Sequence, residues 1–195
     1  MVFLFPIFIT LCKIPMRWVY EVTKQSKAEI MIADSCIIID FKRAEPKLFS
    51  KIACTLNPLN IAESLLEELE TEFLDDNVVT SLNKLGVTVV PVHLDDLAIA
   101  VTESQTGALS TYDRICLYTA KRMGYTCVTN DKKLRAECKR HKVPVLWGLE
   151  IIVMLYQNKG ITRKEARDIG EAIYKNSFGR ITKDIYDRFM TLVTN

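Results

Sequence analysis

Between residues 30 and 148 the chain alternates short, continuously apolar runs with stretches of helical period. The runs are IMIAD (30–34), KIACT (51–55), GVTVVPV (86–92), YTCVT (125–129) and VPVLW (143–147). The stretches 35–42, 58–73, 94–103, 111–123 and 132–141 read as helices. A strand that is apolar on both faces must be covered on both, and alternating helices supply the cover. This pattern confines the chain to the α/β class, with a central parallel sheet of about five strands and helices on both faces. After Gly148 the strand pattern stops. LEIIVMLYQ opens an apolar helix, Thr162 with Glu165 forms a capping box for a second, and Thr182 can cap a third. Three regions follow: an extension outside the fold (1–30), an α/β domain (31–148) and a helical appendix (149–195) that packs on the sheet or on a partner.

The first fifteen residues, MVFLFPIFITLCKIP, are strongly apolar but carry no positive segment ahead of the apolar run. They are also shorter than the ~20 residues a spanning helix needs, so membrane contact through residues 1–15 is not the expectation. Met31 stands directly before the first convincing strand and offers an alternative translation start, which N-terminal sequencing of native protein would check. The six cysteines are scattered, with no CxxC pair, which fits a reduced, cytoplasmic setting better than a disulfide framework or a zinc site. A net charge of +2 is too small to argue for a nucleic-acid partner, so any electrostatic case has to be local.

In an open parallel sheet, ligands bind outside the carboxyl ends of the strands. That rule selects which acids matter. Asp34 ends the first strand, where a helix cap is an equally good use of the residue. Asp131 ends the fourth, and either Asn130 or Asp131 could cap the helix that follows. Asp113 lies in phase with the apolar stripe Cys116, Leu117, Ala120 and Met123, where a charge is costly unless paired or bound to a cation. Its structural alternative is an acid at the positive end of a helix capped by Ser110. In LNPLNIAESLLEELE, Asn57 and Pro58 read as a helix start. Asn60 and Glu63 then lie near the sheet's carboxyl edge, Glu67 lies a turn beyond, and most of the other acids there read as solvated. Asp34, Glu63, Asp113 and Asp131 are thus expected on one edge of one sheet. Gathered carboxylates repel and raise one another's pKa, and a divalent cation relieves the repulsion. Mg²⁺ or Mn²⁺ suits a site with few carboxylates, retained waters and phosphate oxygens, which is the chemistry of phosphodiester hydrolysis.

These segments resemble the PIN-domain nucleases, and among them the VapC-type ribonuclease toxins of bacteria and archaea. MIADSCIIIDF is similar to that family's opening strand with its first acid, Asp34. NPLNIAESL is similar to the segment carrying its helix Glu, here Glu63 with Asn60 beside it. LSTYDRICLYTAKRMGYTCVTNDKKLRAECKRHKVPVLWG resembles its S-x-x-D helix start and strand-T-N-D step. The resemblance implies a PIN-like fold over 31–148. It implies Asp34, Asp113 and Asp131 as metal-site acids for Mg²⁺ or Mn²⁺, Glu63 as a fourth catalytic acid, and Ser110, Thr129 and Asn130 as supporting polar residues. It further implies RNA cleavage leaving a 3′-hydroxyl and a 5′-phosphate, a homodimer, and an antitoxin protein as partner. Lys132, Lys133, Arg135, Lys139 and Arg140 would meet the RNA backbone, positioning it without reading sequence. The extension before Met31 and the appendix after Gly148 exceed a minimal toxin of this kind.

The other function class open to the sequence is a non-catalytic RNA-binding or interaction module on the same fold, which would bind RNA without turnover. A receiver-like signalling domain needs a phospho-acceptor ending a middle strand, and GVTVVPVH ends without one. No GxGxxG or Walker loop occurs. His93 and His141 make no HExxH pair, and His141 reads as a solvated surface residue.

Overall fold

Five short strands form one sheet in the computed structural model, which describes residues 30–73, 77–104 and 109–194. They are β1 (Met31–Ala33), β2 (Leu59–Ala62), β3 (Thr88–Val90), β4 (Thr126–Val128) and β5 (Val145–Leu146). Their order is β3-β2-β1-β4-β5, and every pairing is parallel. The α/β architecture with an all-parallel sheet is as the sequence pattern predicts. Strands β1, β2 and β4 are buried along their whole length, so both sheet faces are covered. The chain steps outward from β1 to β3, then returns to the opposite side of β1 for β4 and β5. Its reversal point, where an open sheet forms a crevice, therefore lies at the carboxyl ends of β1 and β4.

Ten α-helices surround the sheet among the described residues. They are α1 (Ser35–Ala44), α2 (Leu48–Thr55), α3 (Leu66–Phe73), α4 (Val78–Leu85), α5 (Leu94–Ser104), α6 (Thr111–Met123), α7 (Lys132–Arg140), α8 (Gly148–Gln157), α9 (Arg163–Asn176) and α10 (Lys183–Thr194). Helix α6 lies across β1, β2 and β4, while α1 and α2 lie against β1 and β2. Right-handed crossovers place these two sets on opposite faces.

One expected strand is elsewhere. KIACT belongs to α2, whose buried Leu48, Phe49 and Ile52 recur at helical spacing. The second strand is Leu59–Ala62, inside the segment expected to be helical from residue 58. Asn57 and Pro58 lead into this strand, and the helical part starts later, as a 3₁₀ turn (Glu63–Leu65) running into α3. Helix α4, where no element is expected, is capped by Asn77, whose side chain accepts from Thr80 N at 2.8 Å. It closes on Gly86 at φ 85°, a left-handed backbone that glycine adopts freely.

The appendix is part of the core. Helix α9 packs on α1, α8 on α2, and α10 on α8 and α9. Ile152, Ile173 and Phe189 join one continuous apolar cluster with Ile32 and Val128 of the sheet. Burying side chains of this size stabilises by about 1.5–3 kcal/mol each. Gly170 permits the α9–α10 contact, since a Cβ there would fall 2.1 Å from the Phe189 ring. The Thr162–Glu165 capping box forms as expected, and Glu165 also pairs with Lys51 of α2 at 2.5 Å. Among the described residues no helix is long and apolar enough to cross a membrane. The apolar run at residues 1–15 lies outside the described residues.

Candidate active site

Asp34 follows β1 directly, and its N–H donates to Val128 O at 3.0 Å, extending the β1–β4 ladder by one bond. This delivers the side chain into the crevice between the two strands. It occupies the N-cap position of α1, yet makes no capping bond. Instead Oδ2 accepts from Thr129 Oγ1 at 2.9 Å and from the Cys36 thiol at 3.0 Å. The residue is only 4% exposed. Burial pushes its pKa up to about 6, the charges of Asp113 and Glu68 add to the rise, and the bonds from Cys36 and Thr129 oppose it.

The β4 end is built around one hydroxyl. Thr129, fully buried, donates to Asp34 and accepts from the N–H of Asp131 at 3.0 Å, so it ties the two strand-end acids together. Asp131 caps α7, its Oδ1 accepting from Lys133 N and Leu134 N at 2.8 Å each. Asn130 is fully buried, and its side chain is taken up by two neighbours. Its Nδ2 donates to Asp40 Oδ2 at 2.9 Å and its Oδ1 accepts from Gly148 N at 3.0 Å. Through these bonds Asn130, expected as a supporting polar residue, locks the β4 end to α1 and α8.

Asp113 takes the capping role that its position at the start of a helix allows. With Ser110 it forms a reciprocal capping box at the start of α6, and its Oδ2 accepts from Ser110 Oγ at 2.8 Å. Its charge is near enough to Asp34 to add to the rise of that residue's pKa.

The acids after β2 sort differently from expectation. Glu63 is exposed, and it reaches the carboxyl edge because β2 ends beside it, not because a helix begins nearby. Glu67 is exposed and accepts from Tyr112 Oη at 2.7 Å. Glu68 is the acid tied to Asp34, through Ser35, whose Oγ donates to Glu68 Oε2 at 2.5 Å and lies 3.4 Å from Asp34 Oδ1. Glu68 is exposed, as expected of the solvated acids of this helix, and it is also the one that reaches Ser35. The signal that could have found it is its place between the fully buried Leu65 and Leu69 of one helical stripe. Asn60, expected on a helix, sits within β2, and its Nδ2 donates to Met31 O at 2.8 Å, bracing the β1–β2 pair.

Of the basic residues, Lys132 and Lys133 are exposed on the first turn of α7, beside Asp131. Lys139 and Arg140 are exposed on its last turn, about 12 Å along the axis. Arg140 is forked onto Glu137 at 2.8 and 2.5 Å. Arg135 is only 8% exposed, so it is corrected from the RNA-facing set. It donates to Thr129 O at 3.3 Å and stacks 3.8 Å over the Trp147 ring, propping the β4 end from beneath. His141 is also no solvated residue. Its ring packs edge-on against Tyr118 with centroids 5.4 Å apart, and burial holds its pKa down.

Among the described residues no three His, Cys, Asp or Glu side chains stand together as a ready-made metal cage. The donor chemistry still suits a hard, hydrated cation. Asp113, Asp131 and Glu68 each commit one oxygen to the hydrogen bonds described and keep the other. Mg²⁺ needs only one or two carboxylates and keeps several waters. Burial lifts Asp34 toward protonation and the charges of Asp113 and Glu68 add to it, so a proton or a cation would relieve the carboxylate.

No protein-family model, no curated protein and no solved structure matches the chain.

Proposed function

We propose that the chain is a metal-dependent endoribonuclease with a PIN-like site. The observation that supports this reading best is the crevice at the β1–β4 reversal. There Asp34 is buried with its pKa raised to about 6, in the field of Asp113 and Glu68, and is joined to Asp131 through the Thr129 hydroxyl. Folding alone gives no reason to bury a carboxylate among like charges. Asp34, Asp113 and Asp131 would hold Mg²⁺ or Mn²⁺, with Glu68 in the role that sequence reasoning gave to Glu63. The cation supplies charge stabilisation on the attacking and leaving oxygens of a phosphodiester.

The chain's own residues set the stage for it. Thr129 and Cys36 fix Oδ2 of Asp34, so its carboxylate plane is held before any ligand arrives. Asp131 is anchored through one oxygen by two backbone N–H groups, and the other oxygen would serve the cation. Lys132 and Lys133 stand where the substrate backbone would pass, and the α7 N-terminus between them adds positive potential. RNA over DNA rests on the resemblance, because only contacts to the 2′-hydroxyl separate the two. The homodimer and the antitoxin stay with the resemblance alone and form no part of this reading.

The test compares wild type with Asp34→Asn and Asp131→Asn on a mixed RNA pool and on single-stranded DNA. Each is run with Mg²⁺, with Mn²⁺ and with EDTA, and the new ends are mapped. The expected result is metal-dependent cutting of RNA that leaves 5′-phosphates and disappears in both variants. RNA bound equally by all three proteins and cut by none under either metal would replace the enzyme with the binding module.

A further inference from the structure

Beside the acids opens a cleft of about 320 Å³, within the size range of small-ligand pockets. Its walls include Ser35, Ile39, Arg43, Glu68, Phe178 and Arg180. Two of these, Phe178 and Arg180, come from the turn between α9 and α10, some 140 residues after Asp34 in the chain. The appendix thus supplies a wall of the candidate site.

That turn is firmly made. Ser177 is fully buried, its Oγ donates to Tyr174 O at 2.8 Å, and its carbonyl accepts from Arg180 N at 3.0 Å. Its two central residues, Phe178 and Gly179, both have left-handed backbones, at φ 48° and 83°. Glycine suits such a position, whereas a bulky aromatic residue is strained there. The strain gains nothing in packing, because Phe178 is 78% exposed. Arg180 is anchored at one end only. Its Nη2 pairs with the buried Asp40 at 2.9 Å, while its Nε is buried without a hydrogen-bond partner among the described residues. Arg43 stands on the opposite side, forked onto Glu72.

An exposed aromatic ring, guanidinium groups and an acidic site along one cleft complement a nucleotide: a flat base, its phosphate, and the neighbouring scissile bond. We propose that this cleft holds one unpaired nucleotide of a single-stranded RNA, with its base stacked on Phe178 and its phosphate on Arg180. Unstacked bases on aromatic side chains are the usual way single strands are gripped, and the contact tolerates any base. The inference rests on the nuclease reading for the identity of the ligand, but it makes a prediction separate from cutting. Residues 178–180 select unpaired over paired RNA, because a base inside a duplex has no free face to stack.

The experiment uses the full chain with Ca²⁺ as the divalent cation, and fluorescence anisotropy on one labelled RNA, single-stranded and annealed to its complement. Phe178→Asn relieves the left-handed strain, so its Tm is expected to hold or rise, while single-strand affinity falls on the order of ten-fold. Phe178→Trp restores affinity, and duplex binding does not respond to either substitution. With Mg²⁺, Phe178→Asn raises KM and leaves kcat near wild type. Unchanged single-strand affinity in Phe178→Asn, or an equal loss on duplex, overturns the cleft. Wild type that cuts RNA while Phe178→Asn keeps its KM overturns the cleft and leaves the nuclease intact. Phe178-dependent binding with no cutting under Mg²⁺ or Mn²⁺ supports the cleft and overturns the nuclease. A wild-type chain that neither binds nor cuts overturns both.

Discussion

The ends of β1 and β4 carry the same residue type in the same backbone setting, and they use it in opposite ways. Asp34 and Asp131 each follow a central strand and each stand at a helix N-cap, with φ and ψ of −72° and 154° for the first and −77° and 124° for the second. Asp131 caps its helix with two backbone bonds, which is reason enough for an acid there. Asp34 leaves its own helix uncapped, is buried, and is pushed toward protonation by its surroundings. A position that could have been a cap is instead held in an unfavourable electrostatic state. One acid is explained by folding and the other is not, so the functional signal lies chiefly at β1.

The largest effect that could break this comparison is on turnover. Asp34→Asn should lower kcat for RNA cleavage on the order of 10³-fold or more. In EDTA its Tm should equal or exceed that of wild type. A variant that loses cleavage and also several degrees of Tm would return Asp34 to the structural residues.

Next comes the pH dependence of stability in EDTA. Asp34's folded pKa of about 6 lies above its ordinary 3.8, so the folded state binds the proton more tightly than the unfolded chain. This group therefore weakens stability above about pH 6, by about 3 kcal/mol, and the loss is recovered as pH falls toward about 4. Urea unfolding across that window should show the recovery as a difference between wild type and Asp34→Asn. Curves that run parallel would remove the buried charge from the account.

A smaller effect sharpens the other side. Asp131→Ala should cost about 1 kcal/mol through the lost cap, and Asp131→Asn only tenths, since Asn caps as well. Guanidinium unfolding of the pair reads this directly, and a larger loss in the Asn variant would mean that the charge itself holds the β4 end. The smallest effect belongs to Lys133→Ala. Its Tm should not move, KM for RNA should rise a few-fold, and the salt dependence of binding should become shallower by about one charge.

Much of this was legible in the sequence, for identifiable reasons. Strands β1, β3, β4 and β5 are apolar runs bounded by an acid, a glycine or a proline, and helices α6 and α7 carry their caps beside them. The second strand was not legible. KIACT is as apolar as a strand and too short for period to decide, although Leu48 and Phe49 just upstream complete a helical stripe with Ile52. Leu59–Ala62 is strand because it lies between β1 and β3, a fact of tertiary pairing that local propensity cannot supply. That error put Asn60 on a helix rather than inside β2. Arg135 was misplaced for a related reason. Its charge marks it as a surface residue in sequence, but Trp147, on which it stacks, and the Thr129 carbonyl, to which it donates, become its neighbours only on folding.

The pairing of Asp40 with Arg180 has a consequence for the order of synthesis. Asp40 is fully buried in α1, bonded to Asn130 on one side and to Arg180 on the other. A ribosome lays down Asp34, Glu68, Asp113 and Asp131 well before it reaches Arg180. Until then the growing chain would have to bury Asp40 without its counter-charge, which favours leaving α1 undocked. Arg180, 140 positions beyond Asp40, thus makes the docking of α1 depend on a turn that is among the last parts of this sequence to be made.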